Sequence, residues 1–194
     1  MPAVTLPTIV TATDVEDAVF VTLKPRLEYY LGQLGYPTPR SYTRKTRFDK
    51  WPEDRCPTIV VYCRGLAEPP DRRSGGHDAR WAVGVAAIVS ANTEENTDKA
   101  AKLYGALIRA ILLQEGSLHG FARGTDWMDE SFDEVPSMAN RSLGSAEELF
   151  WVEVENVVNA RELPLMPDGP LPNPTDFVIT ESVINVESTQ EVTP

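Results

Sequence analysis

The chain has 194 residues, 42% of them hydrophobic and 24% charged, enough apolar mass to bury one sizeable core, so one domain with attachments is the expectation. A formal net charge of −11 excludes a nucleic-acid-binding surface spread over the whole molecule, because phosphate contact needs cations in excess. No apolar run approaches the ~20 residues that cross a bilayer, and MPAVTLPTIVTATD lacks the basic start and apolar block of a secretory signal, so a cytosolic protein without a membrane partner is expected.

In chain order, Asp14 is the expected N-cap of a helix. Val15, Ala18, Val19, Leu23, Leu27, Tyr30 and Leu31 form its apolar face. The helix should end near Gly32 or Gly35 and be kinked or restarted at Pro25, whose ring displaces a backbone donor. An extended stretch follows from Tyr36 to Trp51. The β-branched run TIVVYCRG, Thr58 to Gly65, then reads as a strand, and LAEPPDRRSGGHDAR as a mobile loop.

WAVGVAAIV, from Trp81, is apolar on both faces, which predicts a central strand covered on both sides. Asn92 and Glu95 resemble a capping pair for a second helix. Ala100, Leu103, Tyr104, Leu107, Ile108, Ile111 and Leu112 lie along its apolar face, with Lys99, Lys102 and Arg109 turned outward. The polar turn before this helix is thereby accounted for by helix initiation, and it has neither a Gly-rich nucleophile elbow nor a G-K-[ST] phosphate loop.

A long Gly- and acid-rich region follows Gln114, and its acids lack the order of a calcium loop. In LFWVEVENVV, Phe150, Val152 and Val154 alternate with Trp151, Glu153 and Glu155, a strand with one buried face. Beyond Arg161 the composition changes. A Pro-rich linker leads to the β-prone TDFVITESVINVES, and from Glu162 onward there is no Lys or Arg. The expected division is therefore a domain over residues 1–161 and an arm over 162–194. Phe177, Ile179 and Val183 are the candidates for docking that arm as a strand on a sheet edge.

Candidate chemistry is sparse. Cys56, Cys63, His77 and His119 are the only cysteines and histidines, and they have no metal-ligand spacing, so reduced thiols and no metal are expected. Ser74, His77 and Asp78 lie too close together in sequence to hold a hydrolytic triad's geometry. Glu153 and Glu155 could flank a glycosidic bond, yet exposed strand carboxylates are far commoner than catalytic ones. Neither enzyme reading is adopted, and no cofactor is expected.

The charges are uneven. Arg40, Arg44, Lys45, Arg47, Lys50 and Arg55 crowd one segment, although Asp49, Glu53 and Asp54 sit among them, and Asp126, Asp129, Glu130, Asp133 and Glu134 crowd another. Each reads as a solvated loop in an isolated monomer. Two opposite patches on one chain can also meet head to tail between copies, the geometry that closes rings. Arg44, Lys45, Arg47 and Lys50 are accordingly the candidate subunit-interface residues.

This order of elements resembles the tail-terminator, or tail-completion, proteins of long-tailed bacteriophages. The resemblance is carried by the helix from Asp14 to Leu31, YTRKTRFDKWPEDRCPTIVVYCRG, WAVGVAAIVSANTEENTDKAAKLYGALIRAIL and RSLGSAEELFWVEVEN. It covers most of residues 1–161 by pattern and order rather than by a diagnostic motif. It implies an α+β fold: a mixed, mainly antiparallel sheet packed by two main helices, with the C-terminal arm as an addition. It also implies a non-enzymatic virion protein, assembled in the host cytoplasm as a homo-oligomeric ring of six at the top of the tail. Such a ring caps the tail tube, ends its polymerisation and meets the head connector or stopper protein. DNA would pass through it without specific binding, and some of Asp126, Asp129, Glu130, Asp133 and Glu134 would face the lumen. The alternatives are a head-completion or stopper neck protein, an enzyme or small-molecule-binding α/β domain, and an adaptor that uses only its arm.

Overall fold

The computed structural model describes residues 9–44, 53–73, 76–135 and 143–158. The chain divides into two compact units, Met1–Leu163 and Pro164–Pro194, and every described residue belongs to the first. Its main elements are the helices α1 (Ala12–Gln33) and α2 (Glu94–Gln114) and the strands β1 (Ser41–Thr43), β2 (Thr58–Leu66), β3 (Asp71–Arg73), β4 (Gly76–Val89), β5 (Gly124–Val135) and β6 (Leu143–Val158).

The strands form one sheet in the order β1-β2-β4-β6-β5, with β3 paired to the start of β4. Only β1 and β2 run parallel; the other pairs are antiparallel. The expected class, an α+β fold with a mixed, mainly antiparallel sheet under two helices, is the observed one.

Both helices lie on one face of the sheet and touch each other. Strand periodicity explains which residues they cover. Ile59 and Val61 of β2, Val83, Val85, Ala87 and Val89 of β4, and Ala146, Phe150, Val152 and Val154 of β6 share that face and form one core with α1 and α2. α1 contributes Val15, Val19, Leu23, Leu27 and Leu31, and α2 contributes Tyr104, Ile108, Ile111 and Leu112. Each such aliphatic or aromatic side chain stabilises by roughly 1.5–3 kcal/mol relative to exposure, which makes this layer the main source of stability. Burial also raises the pKa of the Tyr104 phenol, whose hydroxyl donates to the Pro37 carbonyl.

β4 is central, as its apolar run predicts, but the helices cover only one of its faces. The other is shielded by its own side chains. The Tyr62 ring lies over Gly84, where a Cβ would come within 2.4 Å of the ring. Arg64 reaches Glu147 at 2.6 Å and the Tyr62 hydroxyl at 3.1 Å, and Arg80 stacks 5.1 Å from the Trp151 ring. A small second cluster of Cys56, Val60, Ile88 and Leu143 closes one end of that face.

Several local expectations change. Thr11, not Asp14, caps α1: its hydroxyl accepts from the Asp14 N–H while the Asp14 carboxylate accepts from the Thr11 N–H at 2.7 Å, a reciprocal capping box. The Thr11 hydroxyl, and then the Thr11 N–H, donate to the Asp14 carboxylate and lower its pKa. α1 runs unbroken through Pro25, which sits on the exposed side of the helix with Val21, the residue four positions before it. Thr93 caps α2 in place of Asn92. The expected loop after Gly65 contains β3 and the first turns of β4, and the acid-rich region contains β5, a 12-residue strand.

Thr11→Ala should therefore cost about 1 kcal/mol of stability, read as a lower denaturation midpoint at unchanged slope. An unchanged midpoint would show that the cap is not held in solution.

Candidate assembly interface

The acids expected in a loop are set out by the pairing of β5 with β6. Trp127 pairs with Phe150 and Asp129 with Leu149, so Met128 is an extra residue, a β-bulge that reverses the alternation. Before and after it, Asp126, Asp129 and Asp133 pair with Trp151, Leu149 and Ser145 and share their face, the one without helices. Glu130, Phe132 and Glu134 pair with Glu148, Ala146 and Gly144, on the helix side. The five candidate acids thus split into two groups, with three on the open face.

The helix side of β5 holds a group that sequence reasoning missed. Glu148 shares its face with Phe150 and is 0% exposed. One carboxylate oxygen accepts from the Trp127 indole N–H at 2.8 Å and lies 3.9 Å from the Arg109 guanidinium. Its other oxygen has no hydrogen-bond partner among the described residues and is directed at Gly105 of α2, where a Cβ would approach it to 2.8 Å. Arg109, expected to point outward, instead lies 4.7 Å from the Trp127 ring and donates to Glu130. Burial pushes the Glu148 pKa up to about 7, the Trp127 hydrogen bond and Arg109 pull it down, and the neighbouring Glu130 pushes it up.

A signal for Glu148 was present: it has the same parity as Phe150, Val152 and Val154 in the strand. A carboxyl with that pKa could exchange protons near neutrality, but zero exposure closes it to substrate in this conformation. Its role in the structure is to clasp β5 to β6 and α2.

β1, at the opposite end of the sheet, is bordered by cations. Arg40 precedes it and donates to the Asp54 carbonyl at 3.1 Å. Arg44 follows it, pairs with Glu16 at 3.6 Å and with Asp17, and faces the Phe20 ring at 5.9 Å. Lys24 lies 5.3 Å from the Tyr42 ring. Burial, and then Glu28, raise the pKa of the Tyr42 phenol. Phe20, Lys24, Tyr42, Thr43 and Arg44 line an open groove of about 420 Å³ between α1 and β1. Of the interface candidates, Arg44 is at this groove, while Lys45, Arg47 and Lys50 lie outside the described residues. The arm candidates Phe177, Ile179 and Val183 lie outside them too.

Asp78 accepts the Asn156 N–H at 3.0 Å, His77 pairs along the strand with Val158, and Ser74 is outside the described residues. Glu153 and Glu155 both face Arg123, at 3.2 and 3.8 Å. Among the described residues no cluster of three His, Cys, Asp or Glu side chains is arranged to hold a metal ion, and no helix is long and apolar enough to cross a membrane.

No family model matches the chain, and no curated protein matches it. Among solved structures it is similar to a chain of the virion of native gene transfer agent (GTA) particle, with a TM-score of 0.48 and 15% identity, over 80% of this chain and 99% of that one.

The raised Glu148 pKa sets a direction for stability against pH. Protonation favours the folded state, so this contribution is full below about 4.5 and is lost as pH rises through about 7. Relative to Glu148→Gln, the wild type should lose stability over that window at up to about 1.4 kcal/mol per pH unit. Denaturant titrations of both proteins at several pH values test this, and parallel stability curves would show that Glu148 does not titrate there.

Proposed function

We propose that the chain is a structural virion protein of a phage-like particle that assembles into a closed ring, six copies by the resemblance to tail terminators. The ring caps the tail tube, stops its growth and meets the head connector or stopper protein. The observation that carries this reading is that one sheet ends in two edges bordered by side chains of opposite sign, the cations at β1 being partly neutralised by Glu16 and Asp17 of the same chain. β1 has Arg40, Lys24 and Arg44 around it, and β5 has Asp126, Asp129 and Asp133 on its open face. Surfaces that are complementary and lie at opposite ends of one subunit associate head to tail, and head-to-tail contacts with a constant rotation close into rings.

The excess of acids suits a lumen that lets DNA through. A channel lined by carboxylates forms no phosphate contacts, so passing DNA is not held. The role is one of assembly rather than catalysis, at the top of the virion tail, after assembly in the host cytoplasm.

Light scattering and electron microscopy of the purified protein should find a closed ring that weakens as salt is raised towards about 0.5 M, since exposed charge pairs are screened. In particles lacking the protein, tail tubes should vary in length or fail to join heads. A monomer at every concentration, also when mixed with tail tubes, would reject the ring. Normal joined tails without the protein would reject the role, and full heads with an open connector beside finished tails would favour a neck protein.

A further inference from the structure

We propose that β5 is a docking strand whose occupant is the β1 edge of a second copy, so that the sheet continues from one subunit into the next. This rests on the ring reading and specifies its contact.

β5 is 12 residues long and pairs only with β6 among the described residues. A long strand edge offers a row of backbone donors and acceptors that invites another strand. β5 is also held in place for that purpose, since Trp127 and Glu130 tie it through Glu148 and Arg109 to β6 and α2.

Two β5 strands cannot pair with each other at low cost, because Asp126, Asp129 and Asp133 would face the same residues of the other copy, and like charges across strands repel. The edge therefore favours a cationic strand. Within this chain β1 answers that description: it pairs with β2, and Arg40 and Arg44 flank it.

Trp127, Met128 and Phe132 of β5 are 41%, 38% and 39% exposed, an unusual concentration of large apolar side chains on an acidic strand. The groove beside β1 has Phe20 and Tyr42 in its wall and Lys24 and Arg44 at its rim. It offers aromatic surface to Trp127 and Phe132, which lie on the helix side of the sheet as the groove does.

The test uses the full chain. Phe132 is replaced by p-benzoylphenylalanine in an equal mixture of unlabelled and ¹⁵N-labelled copies, so that mass spectrometry separates cross-links between copies from those within one. Cross-links between copies from position 132 to the peptide containing Ser41–Thr43 are expected. In parallel, Asp129→Lys with Asp133→Lys, and separately Arg40→Glu with Arg44→Glu, should each raise the concentration for half-assembly by about ten-fold or more. All four changes in one chain should restore assembly. Circular dichroism reports whether each variant folds, and the cross-link, which leaves all charges in place, decides if one does not. A ring whose cross-links from position 132 reach other peptides overturns the inference while the ring reading stands. A wild-type chain that stays monomeric, with and without tail tubes, overturns both.

Discussion

The period-two alternation of β6 is the constraint from which the rest of the interior follows. Ala146, Phe150, Val152 and Val154 must lie beneath the helices to complete the core, and Glu148 is carried in with them. A buried carboxylate is costly unless it is paired and hydrogen-bonded. The surroundings answer in part: the Trp127 indole donates to one oxygen, Arg109 turns in towards it, and position 105 is a glycine because a side chain there would strike the other oxygen. The remaining deficit appears as the raised pKa.

The same network explains why an edge strand rich in acids is ordered. β5 repels itself electrostatically and has one strand partner among the described residues, so hydrogen bonding to β6 alone would leave it weakly held. Arg109 bridges from α2 to Glu130, stacks on Trp127 and approaches Glu148, giving β5 a second set of contacts on the helix side. The Met128 bulge then divides the acids, sending Glu130 towards Arg109 and leaving Asp126, Asp129 and Asp133 on the open face. Internal attachment and outward negative charge are thus obtained from one strand.

Covering a sheet on one side only has consequences for function. The uncovered face of β2, β4 and β6 is closed by short-range devices: the Tyr62 ring on Gly84, Arg64 on Glu147 and Arg80 on Trp151. These contacts cover that face with its own side chains. What such a fold offers to other molecules is extended surface and strand edges, which suits assembly. The two outermost strands differ in charge because each is bordered by a different stretch of sequence, Arg40 to Arg44 at β1 and Asp126 to Asp133 at β5.

The sequence by itself determined the two helices, their apolar faces, the central strand and the inward face of Phe150, Val152 and Val154, because each is a local periodicity that burial on one side imposes. It also determined that opposite charges lie in separate segments. Only the tertiary structure decided that those segments border opposite edges of one sheet, since strand order depends on pairings between residues far apart in the chain. It likewise decided that the acidic segment is a strand: its Gly- and acid-rich composition disfavours that state, and pairing with β6 together with the Arg109 contact overrides the preference. Thr11 took the cap from Asp14 because in that register the two residues satisfy each other, the Thr11 hydroxyl accepting from the Asp14 N–H and the Asp14 carboxylate from the Thr11 N–H. Glu148 entered the core because Phe150 and Val152 had to, a choice made by packing against α2 rather than by the residue's own polarity.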